Sequence, residues 1–189
     1  MHSRGCPCVI NTSLSRNSPT PAMMLAMRVW HYELSSPHGP MWAALTEQGR
    51  LRHLAFGGLD PKATMPLPPK AHQETFRFLQ RQLDSYFAGT LRTFTIPLEP
   101  SGTPFQAQVW EEILAIPYGK TISYHELATR IGNEQASQAV GAAVGANPIA
   151  ILIPCHRVIG TDGSLRGYAW GLEVKESLLL LEGALGGLL

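Results

Sequence analysis

Charge is scarce in this chain. Asp, Glu, Lys and Arg make up 15% of its 189 residues, and the formal net charge is +1. The pI is near 7.8, so any basic footprint for a polyanion has to be local rather than global. Cysteine is scarce as well, present only as Cys6, Cys8 and Cys155. An odd number with two crowded at the start excludes a disulfide framework and fits a reducing cytoplasm, with Cys155 free. Cys6 and Cys8 with His2 lack the second ligand pair of a zinc motif, so no metal is assigned to them. No run approaches the 18 apolar residues of a membrane span, and no membrane partner is expected. Carboxylates are missing before Glu33. Residues 1–26, rich in Ser, Thr and Pro, therefore read as a disordered extension, or as sequence upstream of a start at Met23, Met24 or Met27. PAMMLAM is too short and poorly flanked for a secretory core.

What is present organises into two units. At 189 residues with 44% hydrophobic content, the chain can form one large domain or two small ones. RVWHYELSS, MWAALTEQ and RLRHLAFGG are separated by PHGP and a turn at Gly49, which predicts an antiparallel meander. The Pro-rich DPKATMPLPPK (60–70) predicts a loop. In AHQETFRFLQRQLDSYFAG, Phe76, Leu79, Leu83, Tyr86 and Phe87 recur at helical spacing, with Gly89 as the stop. FTIPLEP predicts a short strand. Residues 27–100 are thus expected to form an α/β domain, whose His31, His53 and His72 are scattered and read as structural or solvated.

A second domain is expected over 101–189. TPFQ places Thr103 at an N-cap, Pro104 at N1 and Gln106 at N3, a capping box. Phe105, Val109, Ile113 and Ile116 then form a buried helical face. Ser123 and Glu126 repeat the box for SYHELATRIG, with Tyr124, Leu127 and Ile131 inward and Gly132 as the stop. ASQAVGAAVGAN follows after NEQ, so two short helices joined by a tight turn make a helix-turn-helix candidate.

The second of these helices is poor in side chains. Ser137, Gly141 and Gly145 lie at i, i+4 and i+8, with Gln138 and Ala142 beside them and Val140 and Val144 on another side. Each Gly costs about 1 kcal/mol of helix propensity relative to Ala. Such a stripe serves tight helix packing or close approach of a nucleic-acid backbone. No carboxylate interrupts residues 135–161, so phosphates would meet no local repulsion.

IAILI (149–153) predicts a buried strand delivering Pro154, Cys155, His156 and Arg157. Apolar burial alone would raise the thiol pKa and leave it inert. On an extended chain His156 would point away from Cys155, so adjacency establishes no contact. The residues alone leave Cys155 as a nucleophile, a metal ligand or a packed structural thiol.

IPCHRV, preceded by ANPIAILI and followed by IGTDGSLRGYAWGLEVKESLLLLEG, resembles the active-site segment of the O6-alkylguanine-DNA alkyltransferases. The similarity extends upstream through TPFQAQVWEEILAIPYGKTISYHELATRIG, covering about 103–183, and 28–98 is compatible with the family's RNase-H-like N-terminal domain. The resemblance implies an α+β fold with a winged helix-turn-helix-like DNA reader in a helical C-terminal domain. It implies irreversible transfer of an alkyl group from O6 of guanine to Cys155, once per molecule and without a cofactor. It assigns His156 to activate the thiol through a water and Glu182 to orient His156, in preference to Glu173 or Glu176. Tyr124, Asn147, Val158, Tyr168 and Ala169 would surround a flipped base. Ser137, Gln138, Ala139, Gly141, Ala142 and Gly145 would face the minor groove of double-stranded DNA bearing O6-alkylguanine, bound by a cytoplasmic monomer.

One position departs from the pattern. The family carries an intercalating arginine in an A-x-R-A-V context, where this chain reads ASQAV, with Gln138 at that place. Gln lacks the fixed charge and planar stacking surface of Arg, which predicts weaker duplex binding, with Arg130 one turn earlier as a possible substitute. Two other readings compete. One is a damage-binding protein that does not transfer, resembling the alkyltransferase-like proteins, which replace the reactive Cys. The other is a cysteine hydrolase or metal module, for which no second ligand cluster or oxyanion-type glycine motif is present.

Overall fold

The structure is a computed structural model, describing residues 29–57 and 66–185. The readings for 1–26, including Cys6 and Cys8, and for the first part of the 60–70 loop lie outside the described residues.

The expected meander forms. β1 (Val29–Leu34), β2 (Met41–Thr46) and β3 (Leu51–Phe56) make an antiparallel sheet in that order, with a bulge at Ala44/Leu45. Alternation sends Met41, Ala43, Leu45 and Leu54 into a core shared with Phe76, Leu79 and Leu83 of α1 (Lys70–Phe87). Gly89, at φ +72°, ends that helix as its sequence requires. FTIPLEP does not form a strand. Pro97 lacks the N–H a ladder needs, and pairing shrinks to one parallel bridge between Leu98 and Leu51.

Residues 104–184 pack four helices against this unit through a continuous apolar core. α2 (Pro104–Leu114) begins with the full capping box, the Gln106 N–H donating to Thr103 Oγ1 and the Thr103 N–H to Gln106 Oε1. Trp110, 1% exposed, donates its indole N–H to the Ala143 carbonyl at 2.9 Å, which ties α2 to α4 (Ser137–Gly145). Truncating so large a buried ring would cost about 3–5 kcal/mol. α3 (Tyr124–Arg130) keeps only half of its expected box: the Ser123 hydroxyl accepts from the Glu126 N–H, but the Glu126 carboxylate pairs with Arg130 at 2.7 Å instead. The i,i+4 geometry favours that pair, and it engages the arginine considered as a substitute for an intercalating one. A 3-10 turn over Glu134–Ala136 joins α3 to α4. β4 (Ile122–Ser123) and β5 (Val158–Ile159) pair in parallel behind them, and α5 (Leu172–Leu181) closes the chain.

The segment expected as a strand, IAILI, is instead a compact series of turns. Only Ile149 bridges to β3, at Leu54. Ile151 adopts φ +67°, the only non-glycine residue in the left-handed region among the described residues, a conformation unfavourable for a β-branched side chain. The cause is Asn147. Its side-chain oxygen accepts from the Ile149 N–H at 3.0 Å, and its amide donates to the Ile153 carbonyl at 2.8 Å. Those two bonds fold the five residues back on themselves, against the β propensity of their side chains. Cys155–Arg157 then form a 3-10 turn rather than an extended exit.

Candidate active site

The turn at Cys155–Arg157 buries all three side chains. Cys155 is 3% exposed, and its Sγ accepts from Asn147 Nδ2 at 3.0 Å. Burial pushes the thiol up to about 11, against the Asn147 hydrogen bond and the positive charge of Lys175, which both favour thiolate. At rest it is therefore a protonated, shielded thiol that needs a base.

His156 lies fully buried beside it. Its Nε2 lies 2.9 Å from Glu182 Oε1, and its Nδ1 is buried with no protein partner. A carboxylate can only accept, so Nε2 carries the proton and Nδ1 holds a lone pair. Burial holds the imidazole below its usual pKa, although Glu182 pulls the other way. The ring is thus a neutral base with one free nitrogen.

Glu182, in the residue that ends α5, is the hub. Oε1 accepts from His156, from Arg157 Nη2 at 2.9 Å and from Tyr86 Oη at 2.8 Å; Oε2 accepts from Arg157 Nε at 2.8 Å and from the Gly119 N–H at 3.2 Å. Burial would raise this carboxyl, but the donors from His156 and Arg157 hold it down at about 2. Gly119 sits at φ +73°, and a Cβ there would stand 2.8 Å from the Glu182 carbonyl oxygen. Only glycine allows the turn to close on this residue. Glu173 and Glu176, on the same helix, are absent from this network.

The remaining sequence-assigned residues separate into three groups. Asn147 and Tyr168 adjoin the thiol. The Tyr168 hydroxyl is buried without a partner, and burial first, then the Cys155 charge, hold it protonated. Its ring stands edge-on to Trp170, which in turn meets Phe56 at the end of β3. Tyr124 and Val158 flank the thiol less directly. The Tyr124 phenol, also held protonated by burial and Cys155, donates to the Arg166 carbonyl at 3.1 Å. The Val158 carbonyl is taken by Lys175 Nζ at 2.6 Å. Ala169 is exposed beside Tyr168.

The third group lies on α4. Val140, Ala143 and Val144 turn inward, while Gln138, Ala139, Ala142 and Gly145 are exposed and Ser137 and Gly141 half-buried. Beyond the local backbone of α4, no atom lies within 4 Å of where a Cβ on Gly141 or Gly145 would stand. Helix packing therefore does not account for the small residues, and the stripe is an open surface.

Three participants escaped the sequence reading: Arg157, Tyr86 and Lys175. Lys175 is 0% exposed and donates to the carbonyls of Val158 and Arg166, while burial brings its ammonium down to about 8. A signal for it existed. Lys175, Leu178 and Leu179 fall at i, i+3 and i+4, so helical periodicity puts a lysine on the buried face of α5. Arg157 and Tyr86 had none, because their partner is remote in sequence.

Comparison with known proteins agrees with this arrangement along both units. A family model described as 6-O-methylguanine DNA methyltransferase, DNA binding domain, matches residues 104–184, and one described as its ribonuclease-like domain matches 29–100. A methylated-DNA–protein-cysteine methyltransferase of Methanosarcina acetivorans is 50% identical over 149 residues, covering 79% of this chain and 95% of that protein. The Salmonella typhimurium protein of the same description is 40% identical over 168 residues, covering 84% and 98%. A crystal structure of Mycobacterium tuberculosis OGT in complex with DNA superposes with a TM-score of 0.71 at 42% identity, covering 82% of this chain and 92% of that one. With both halves matched, and a buried thiol set among His156, Glu182 and Asn147, the chain belongs to the 6-O-methylguanine DNA methyltransferase family.

Proposed function

We propose that this chain repairs DNA by moving a methyl group from O6 of guanine onto Cys155, with the residues of the buried turn dividing the work. The chain binds DNA and acts as a methylated-DNA–protein-cysteine methyltransferase. The observation that carries the assignment of roles is the juxtaposition of a shielded thiol with a histidine whose proton is held by Glu182 at 2.9 Å. The Cys155 proton passes to His156 Nδ1 through a water. The thiolate then attacks the methyl carbon, forming an S–C bond as the C–O6 bond breaks. The bonding pair leaves with guanine, and a proton donated to the base neutralises it. The proton that His156 took from the thiol reaches the base through water, and Tyr124, kept as a phenol by burial, steadies the leaving charge with a hydrogen bond after turning from the Arg166 carbonyl. The product is a thioether, which thiol exchange does not reverse, so each molecule acts once.

A thiol 3% exposed cannot reach a stacked base, so the guanine is extruded into the pocket bounded by Asn147, Tyr168 and Ala169. The exposed stripe of α4 lies in the minor groove, where its missing side chains let the sugar-phosphate walls come close. Gln138, exposed near the start of that helix, occupies the gap left by the base. The protein works as a monomer.

Intact-mass measurement after incubation with duplex DNA carrying O6-methylguanine tests the assignment. One methyl adduct per chain is expected, mapping to Cys155 and absent in Cys155→Ser. Binding of damaged DNA with no mass change would instead support recognition without transfer.

A further inference from the structure

Every donor to Glu182 but one comes from the C-terminal unit. The exception is Tyr86, in the last turn of α1, 96 residues away in sequence and 1% exposed. Its hydroxyl donates at 2.8 Å to Oε1, the same oxygen that holds His156 Nε2. We propose that Tyr86 is a positioning residue for methyl transfer, setting the orientation and basicity of His156 through Glu182, so that the N-terminal unit takes part in the chemistry. This rests on the assignment of Cys155 and His156 made above.

The geometry favours a tuning role over simple packing. The Tyr86 ring is held by Phe87, Phe94 and Tyr118, with centroids 5.4, 5.5 and 6.2 Å away, so its hydroxyl is aimed before Glu182 is considered. Tyr118 in turn donates to the Leu181 carbonyl at 3.2 Å, fixing the turn of α5 that carries Glu182. Burial and the Glu182 charge keep Tyr86 firmly protonated, so it serves only as a donor toward the carboxylate. A hydrogen bond to Oε1 withdraws negative charge from the oxygen that His156 also uses. Removing it leaves a more basic carboxylate, which holds the Nε2 proton more strongly and raises the basicity of Nδ1. The other groups facing this site are His156 and Arg157 from the 3-10 turn, Tyr118 after α2 with Arg92 over its ring, and Lys175 from α5. None of them reaches Oε1 from the N-terminal unit.

The test compares full-length wild type, Tyr86→Phe, a 3-fluorotyrosine replacement at residue 86, and Phe76→Leu. Fluorination makes the phenol a stronger donor of nearly unchanged shape. Phe76, fully buried on the same helix and stacked on Tyr32, reports loss of packing alone. The rate of the Cys155 adduct is followed by mass from pH 5 to 9, with thermal melting alongside. Because neutral His156 is the active form, the rate rises with pH through its pKa. Tyr86→Phe is expected to slow transfer several-fold and move that limb upward by about half a pH unit or more. Fluorotyrosine is expected to move it downward, and Phe76→Leu to lower the melting temperature without moving it. A limb unmoved in both Tyr86 replacements, or moved equally by Phe76→Leu, overturns the proposal while leaving the transfer reading intact. Absence of the adduct in wild type overturns both.

Discussion

Asn147→Ala is the substitution whose consequences the structure specifies most fully. The side chain makes three hydrogen bonds: from the Ile149 N–H, to the Ile153 carbonyl and to Cys155 Sγ. Alanine leaves the Ile149 N–H unpaired in a residue 0% exposed, while the Ile153 carbonyl keeps its bond from the Cys155 N–H at 2.8 Å. At about 1–3 kcal/mol for a buried group without a partner, folding should lose about 1–3 kcal/mol. The third bond acts on chemistry. It strengthens when sulfur becomes an anion, and a hydrogen bond to a charged group contributes about 1.5–3 kcal/mol. At 1.36 kcal/mol per unit, the thiol pKa should rise by roughly one to two units. Transfer near neutral pH should slow by about 10- to 100-fold. Urea unfolding gives the first quantity. The rate of adduct formation with O6-benzylguanine, a substrate free of DNA-binding effects, gives the second from pH 7 to 10. A variant that loses the expected stability yet transfers within threefold of wild type throughout would refute the electrostatic reasoning and leave Asn147 as a brace for the turn.

Gly141→Ala adds a methyl group to open space, so stability should rise by about 1 kcal/mol while duplex affinity, read by fluorescence anisotropy, falls; unchanged affinity would remove α4 from the interface. Gln138→Arg should speed transfer from duplex DNA and leave transfer from free O6-benzylguanine unaltered, and no gain on duplex would count against Gln138 as the gap-filling residue. The Glu182 carboxyl is depressed to about 2 in the folded protein, against about 4.3 when unfolded. Its stabilisation is therefore complete above the unfolded value and lost as pH falls through about 2. Urea titrations should show of order 3 kcal/mol disappearing across that window in wild type, and a flatter profile in Glu182→Gln.

Much of the architecture was legible because it is local. Thr103 and Gln106 mark a helix start through bonds spanning three residues, and Gly89 and Gly132 mark helix ends through backbone freedom that only glycine supplies without strain. MWAALT reads as a strand from its apolar run between turn formers, and it is buried along nearly its whole length. The small-residue stripe of α4 was equally readable, although its two explanations were not separable until Gly141 and Gly145 were seen to face open space.

The active-site turn was misread for an equally physical reason. IAILI has the composition of a strand, and its side chains are buried as expected. Its backbone, however, follows the hydrogen bonds of one preceding asparagine, whose preference for turns outweighs five apolar residues. Lys175 offered a periodicity signal; Arg157 and Tyr86 offered none, because neither position shows where its partner lies.

By itself, the sequence determined the elements, their capped ends, the bare helix face and the family motif around a single thiol, all set by interactions a few residues long or by resemblance. Only the tertiary structure decided what surrounds that thiol. Folding brings Tyr86, Gly119, His156 and Arg157 onto one carboxylate at Glu182 and places a buried ammonium near the sulfur. Electrostatic interactions depend on separation in space and on exclusion of water, and neither distance nor burial between remote residues is written in their order along the chain.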